Sequence, residues 1–390
     1  MKLKLMSILI LSCTLNNINA QAVKGSKSNF EKITLSNEFL SEGVATGDLN
    51  KDGKTDVIAG YYWFEAPNWT RHELYPSRVF NPRKEYSNSF LNLGMDVNND
   101  GWTDVVLIDF PGLKSYWLEN PKNKPGHWVR HVIADSMGIS NESPGFVDID
   151  GDGRMDILCG DPAKRQVVWL KAPGKGQTNW KRYPISDTAA PATNRFSHGI
   201  GYGDINMDGK KDIVIKEGWW EGPKDPKQPG WVFHKANLGE DCSHMLILDV
   251  DNDGLNDVVS ASAHRLGIWW FKQTRDASGN IDFARTTASE TVSQTHSNIL
   301  ADFNRDGQPD FVVGKRWLAH HDSNDPGTND PAYLIWFEST PTKAPYWIEH
   351  EIDNDSGAGL NIAVDDVNKD KKPDIIIANK KGVFVFLNRQ

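Results

Sequence analysis

Short apolar runs rich in β-branched residues recur along the chain: Val57-Ile58, Val105-Val106, Ile213-Val214, Val258-Val259, Phe311-Val312-Val313 and Ile375-Ile376-Ile377. Their length and their flanking Asp, Asn and Gly residues predict strands. An aromatic run that usually closes on Pro follows, as in Trp63-Phe64-Glu65-Ala66-Pro67, Trp117-Leu118-Glu119-Asn120-Pro121, Trp169-Leu170-Lys171-Ala172-Pro173 and Trp336-Phe337-Glu338. A Trp-x-x-His motif or a relative comes next: Trp69 to His72, Trp128 to His131, Trp180 to Tyr183, Trp231 to His234 and Trp347 to His350. Each unit therefore reads strand, polar loop, strand, turn, aromatic strand, turn, aromatic strand. Four antiparallel strands repeated with this period predict the blades of an all-β, seven-bladed β-propeller.

The polar loop carries the chemistry of the repeat. Asp148-Ile-Asp150-Gly-Asp152-Gly-Arg-Met-Asp156 has the pattern D-x-[DN]-x-D-G-x-x-D, and related copies start at Asp48, Asp96, Asp204, Asp249, Asp302 and Asp366, 45 to 64 residues apart. Oxygen side chains at positions 1, 3, 5 and 9 converge on one cation if the backbone curls tightly, and Gly at position 6 permits that curl. Hard oxygen donors without thiol or imidazole suit Ca²⁺. The expected ligands are Asp48, Asn50, Asp52 and Asp56; Asp96, Asn98, Asp100 and Asp104; Asp148, Asp150, Asp152 and Asp156; Asp204, Asn206, Asp208 and Asp212; Asp249, Asp251, Asp253 and Asp257; Asp302, Asn304, Asp306 and Asp310. The seventh copy has Lys371 in place of Gly. About six Ca²⁺ sites are expected, with the seventh loop a poor binder.

The ring has a predicted closure. Two strands follow the last Asp loop, ending at Val383-Phe-Val-Phe-Leu387, and the fourth strand of that blade is lacking there. Phe30-Glu-Lys-Ile33-Thr-Leu35, ahead of the first loop, is of the outer-strand type and is expected to complete blade seven. That arrangement removes the open edges of a linear array. The expected organisation is a signal peptide over 1–20, a flexible leader over 21–27 and one propeller domain over 28–390.

Net charge is −9, but 23 of the 52 acidic residues lie in the seven loops. Six bound Ca²⁺ would bring the balance to about +3, so the acidity reads as metal ligands. No basic run points to nucleic acid. Met1-Lys2-Leu3-Lys4, an apolar run to Leu15 and a small residue at Ala20 describe a secretory signal, with cleavage expected after Ala20. Leu11-Ser12-Cys13 alternatively resembles a weak bacterial lipobox, which would anchor the chain through a lipid at Cys13. The expectation is a secreted or periplasmic monomer, or an outer-membrane lipoprotein, without a transmembrane segment. Cys159 and Cys242 leave room for one disulfide.

The Asp loop with its flanking strands resembles the FG-GAP/VCBS repeat of integrin-α-like propellers. The resemblance implies that the loops lie on one face of the disc and that ligands bind at the opposite face. Residues five or six positions before or after each loop then ring that opposite mouth. The ring before the loops reads Glu42, Phe90, Glu142, His198, His244, His296 and Asn361. The ring after them includes Tyr61, Asp109, Asp161, Glu217, His264, Lys315 and Arg316, and Asn379 and Lys380. His198, His244, His264, His296, His320 and His321 all fall at the mouth, whereas His72, His131, His234 and His350 belong to the outer-strand motif. Among the tryptophans only Trp219, Trp220 and Trp317 stand where a sugar ring could stack.

Lys315-Arg316-Trp317-Leu-Ala-His320-His321, the long connection that follows, and the Ser197-His198-Gly199 and Thr295-His296-Ser297 triplets together resemble the propeller domain of the aldos-2-ulose dehydratase group. That resemblance implies a metal-requiring dehydration of keto-sugars. The leading expectation is a carbohydrate β-eliminase, a keto-sugar dehydratase or a lyase, acting on a small sugar or oligosaccharide. His198, His244 and His296 are candidate ligands of one Zn²⁺ or Mn²⁺. His198, His264, His296, His320 and Tyr61 are candidates for proton transfer, with Lys315 and Arg316 as an oxyanion clamp. The alternative is a non-catalytic propeller that binds a glycan or a protein, since fold does not decide function.

Overall fold

The computed structural model describes residues 21–134, 138–321, 325–341 and 344–390; the expected signal segment and Cys13 lie outside these residues. Seven antiparallel sheets form the ring. Blade one, for example, runs Ala45–Gly47, Asp56–Ala59, Tyr62–Glu65 and Thr70–Glu73 from the inside outward. Among the described residues there is no helix, and so none long and apolar enough to cross a membrane.

Closure follows the sequence pattern. Phe30–Ser36 pairs antiparallel with Gly382–Asn388, Phe30 opposite Asn388 and Ile33 opposite Val385, and so supplies the outer strand of blade seven. The leader differs from expectation. Val23–Lys24 pairs in parallel with Ile348 and Glu349 and gives blade six a fifth strand. The Ala22 and Gly25 amides add hydrogen bonds to Ala288 and Glu349 carbonyls, so the backbone of this segment is paired rather than free.

The second strand of every blade is apolar on both sides because it is packed between neighbouring blades, as with Val57, Ile58, Val105, Val106, Ile213 and Val214. The aromatic third strand has a second use. Its Trp stacks on the His or Tyr of the outer strand at 4.2–4.6 Å between ring centres: Trp63 on His72, Trp117 on His131, Trp169 on Tyr183, Trp219 on His234 and Trp336 on His350. Trp219 and Trp220 are thus packing residues and offer no open face to a sugar. Cys159 and Cys242 are both buried and free.

The innermost strands line a central channel of about 550 Å³ with apolar side chains such as Leu91, Phe146, Met245, Ile247 and Leu300. Two of these strands carry bulges at the end away from the Asp loops. Register slips between Ser140 and Gly145 in blade three, and between Thr295 and Ser297 in blade six. A bulge re-aims the side chains it contains. Here it turns Glu142 and His296 toward each other across the mouth, with ligand atoms 3.9 Å apart.

Candidate functional site

The mouth holds a pocket of about 350 Å³ with two unlike walls. One wall is Tyr86, Phe90, Phe110 and Phe196; the other is Glu142, His198, Asp241, His264, Arg316 and His320. The polar wall is a cluster of four imidazoles. Ring centres of His198 lie 4.6 Å from His264 and 5.4 Å from His296, and His320 stacks on His264 at 4.9 Å. In three overlapping groups the ligand atoms lie within 4.8 Å of one another: Glu142, His198 and His296; His198, Asp241 and His264; His264, His296 and His320.

Burial sets the protonation of this wall. Removal from water penalises the charged imidazolium and pushes His198 and His264 down to about 4. His296 is pushed well below its ordinary value by burial and then by the Arg316 charge. All three rings are neutral near pH 7. The Nδ1–H of His296 donates to the Gln294 carbonyl at 3.1 Å, which leaves Nε2 as the lone-pair nitrogen facing Glu142. That Nε2 and the Nε2 of His198 are buried and have no hydrogen-bond partner. Unpartnered buried polar atoms are uncommon, and two of them converging on one carboxylate call for a ligand.

Arg316 is the keystone of the floor. Its guanidinium is buried and bonds Glu42 at 2.7 Å and Glu142 at 3.1 Å, while its face lies over Phe90 and Tyr86. With both carboxylates engaged it aligns Glu142, and its Nε–H is left buried without a partner. Glu142 with the neutral imidazoles around it is a donor set that suits a divalent transition ion.

Lys315 does not reach the pocket. Its ammonium is fully buried and bonds the carbonyls of Gly327 and Asp330, the latter at 2.7 Å, so it pins the connection that carries His320. Lys380, lowered to about 8 by burial, bonds the Leu318 carbonyl, and the Tyr86 hydroxyl bonds that of Ala319. Held at these points, His320 donates or accepts through Nδ1 against Asp325 at 2.5 Å.

Other expected mouth residues fall elsewhere. His244 lines the channel below the pocket and belongs to none of the ligand groups, so His198, His244 and His296 do not form a triad. Its place is taken by Glu142 and His264. Tyr61 is buried with Tyr75 in the core between blades one and two, where burial raises its hydroxyl to about 12. Trp317 stands under the ammonium of Lys381. Sequence spacing also missed Tyr86, Phe110, Phe196 and Asp241. They lie in connections between strands, off the period from which the ring was counted. Lys216 holds Asp241 at 2.5 Å; burial works to raise this carboxyl, but the Lys216 bond prevails and keeps it below the ordinary range.

On the opposite face the Asp loops share one hydrogen-bond scheme. In loop one the Asp48 carboxylate accepts the amides of Asp52 and Gly53, at 3.1 and 2.9 Å. Buried Asp56 accepts the Leu49 and Ala66 amides at 3.0 and 2.9 Å and so ties the loop to the third strand. The ligands at positions 1, 3 and 9 converge within 4.8 Å in the two loops built from Asp alone at those positions, Asp148, Asp150 and Asp156 and Asp249, Asp251 and Asp257.

Comparison with known proteins agrees with this architecture. The FG-GAP-like repeat pattern matches residues 96–159, 148–215 and 249–313, and the FG-GAP repeat pattern matches 42–67. The chain belongs to the FG-GAP repeat family. Protein linkin of Caenorhabditis elegans is 22% identical over 204 residues, 49% of this chain and 34% of linkin, so the match spans about a third of that relative. Among solved structures, BBS1N in complex with ARL6DN has a TM-score of 0.55 at 8% identity, covering 93% of this chain and 98% of that one. An Agrocybe aegerita lectin that recognises non-reducing terminal N-acetylglucosamine has a TM-score of 0.45 at 15% identity, covering 84% and 81%. At 8% identity the likeness to BBS1N concerns the fold alone.

Proposed function

We propose that this FG-GAP propeller is a metal-assisted carbohydrate β-eliminase, a keto-sugar dehydratase or a lyase, with its site in the mouth pocket. The observation that carries the reading is the pair of buried, unpartnered Nε2 atoms of His198 and His296 facing the Glu142 carboxylate. These three residues would hold a Zn²⁺ or Mn²⁺ ion, with His264 and Asp241 at its edge. Such an ion supplies Lewis acidity to a substrate carbonyl or carboxylate.

The remaining groups fit proton handling. Elimination beside a carbonyl needs a base for the acidified α-proton and an acid for the departing oxygen. The His320–Asp325 pair is oriented like a general base, since the carboxylate fixes the ring. Once His320 has taken the α-proton it would carry the proton that the departing oxygen needs, whereas His264, stacked on it and neutral near pH 7, is a lone-pair donor. Phe90, Phe110, Phe196 and Tyr86 form an apolar wall of mutually inclined rings against which the apolar face of a sugar would pack.

The test is incubation with keto-sugars and with uronides, followed by ultraviolet absorbance of the new unsaturated product. Turnover that disappears in the His320→Ala variant supports the reading. A protein that binds glycans or another protein at the mouth, yet yields no unsaturated product from either substrate class, overturns it in favour of a binding propeller.

A further inference from the structure

The pocket at the mouth is smaller than the aromatic surface that leads into it. Ligand sites run from roughly 300 to 1,000 Å³. This one, at about 350 Å³ with Arg316 across its floor, takes little more than one sugar ring. The apolar wall continues past that volume. Tyr86 packs on Phe90, Phe90 on Phe110 and Phe110 on Phe196, at 5.1–5.8 Å between ring centres. The series starts at fully buried Phe90 and ends at Phe196, which is 49% exposed. A lone exposed aromatic is ordinary on a protein surface. Phe196 differs because it carries an existing binding wall out over the lip.

The turn that presents Phe196 is fixed to the site. The amide and hydroxyl of Ser197 both donate to the Asn194 carbonyl, at 3.1 and 2.9 Å, and close the turn. The Ser197 carbonyl accepts the Glu142 amide at 2.8 Å, so the turn is tied to the bulge that delivers Glu142. On the other side Arg195 donates to the Pro111 carbonyl, and its guanidinium lies over Phe110 and Phe196 at 5.1 and 5.2 Å. A half-exposed ring held in this way loses little freedom when a ligand covers it, and that favours binding.

The polar wall reaches the lip as well. The Ala263 amide donates to the Asp241 carbonyl at 3.0 Å, which sets the connection carrying Glu240 and Asp241 beside the turn carrying His264 and Arg265. Two ion pairs result, Lys216 with Asp241 at 2.5 Å and Arg265 with Glu240 at 3.6 Å, and their four side chains are 30–69% exposed. A sugar hydroxyl both donates and accepts. A row of carboxylates and cations meets it in either sense. An aromatic ring on one side and such a row on the other suit a ligand with C–H groups on its face and hydroxyls on its rim.

We propose that this lip is a second sugar subsite, and that the substrate is a glycoside of two or more rings rather than a free monosaccharide. The reacting ring fills the pocket, and its neighbour packs on Phe196. Lys216, Glu240 and Arg265 take the hydroxyls of that second ring. Arg316 closes the floor, so the reacting ring is a terminal one. The inference rests on the reading above that a carbohydrate occupies the mouth, and it names which carbohydrate.

The experiment uses the full-length protein with a keto-hexose and a hexuronate, each supplied alone and joined to glucose as a disaccharide. Elimination kinetics and calorimetric binding are both measured. For the ring that reacts, the disaccharide is expected to have a KM about 10-fold below that of the monosaccharide. Phe196→Ala removes this advantage and leaves the kinetics of the monosaccharide within about two-fold; Phe196→Trp keeps it. A turn that merely braces Glu142 would shift both substrates together, so an equal loss on both overturns the subsite. A wild type that shows no preference for the disaccharide overturns it too, and either result leaves the eliminase reading standing. If nothing is eliminated, that reading falls and binding decides the subsite. A disaccharide held about 10-fold more tightly than the monosaccharide by the wild type, but not by Phe196→Ala, supports it. Equal binding, or none, overturns it.

Discussion

The two faces of this propeller are built by opposite means. The Asp-loop face repeats one device seven times, so each loop resembles its neighbours in backbone and in hydrogen bonding. The mouth is assembled once, from the places where the repeat is broken: a bulge that delivers Glu142, another that delivers His296, and long connections that bring His320, Asp241 and Phe196. The repeated face serves stability, because each loop ties the inner strands of its own blade to the third strand. The irregular face carries two buried, unpartnered imidazole nitrogens, of His198 and His296, that converge on the Glu142 carboxylate.

Variants separate the two faces, the largest effect coming first. Replacing His198 and His296 by Ala together should reduce elimination by at least about 100-fold while Ca²⁺ content and melting temperature stay close to wild type. Activity kinetics with a metal count checks it, and a large loss of bound Ca²⁺ would mean the faces are not separable. Arg316→Met should cost about 3–5 kcal/mol of stability, because it strands the buried carboxylates of Glu42 and Glu142 without their shared counter-charge. Denaturant titration measures this. Removing Ca²⁺ with a selective chelator should lower the melting temperature by roughly 10 °C while the mouth histidines retain their arrangement.

Acid should act on the mouth first. The folded-state values of about 4 for His198, His244 and His264 lie below the ordinary value of 6.5, so the unfolded chain binds more protons between these limits. Their contribution to stability is complete above pH 6.5 and is lost as the pH falls toward 4. Melting temperature should drop across that window by roughly 5 °C, and less in His244→Phe. The smallest effect is expected from Tyr61→Phe. Its hydroxyl is remote from the pocket, so turnover should change by less than about two-fold; a large loss would return Tyr61 to the site.

How much of this was legible in the sequence follows the same division. Seven Asp loops, apolar second strands and the orphan Phe30 segment specify the ring and its closure, because each is a periodic signal reinforced by repetition. The gathering of His198, His264, His296 and His320 could also be read, since all lie a strand's length from an Asp loop or on the long connection. What could not be read is direction at the end of a strand. His244 stands five residues before Asp249, where His198 stands six before Asp204, and it lines the channel; Lys315 precedes Arg316 by one residue yet points at the carbonyls of Gly327 and Asp330. Alternation sends neighbours to opposite sides, and a bulge resets that alternation. Pairings such as Arg316 with Glu42 and Glu142 cross the ring between distant blades and leave no local pattern.

The most direct measurement is the transition-metal content of the dialysed protein, with Ca²⁺ counted in the same sample, for the wild type and for the His198→Ala/His296→Ala variant. The account predicts about one Zn²⁺ or Mn²⁺ per wild-type chain, absent from the variant, with an unchanged Ca²⁺ count. A wild type that carries Ca²⁺ alone, or a variant that keeps its transition metal, would contradict the assignment of the mouth as a metal site.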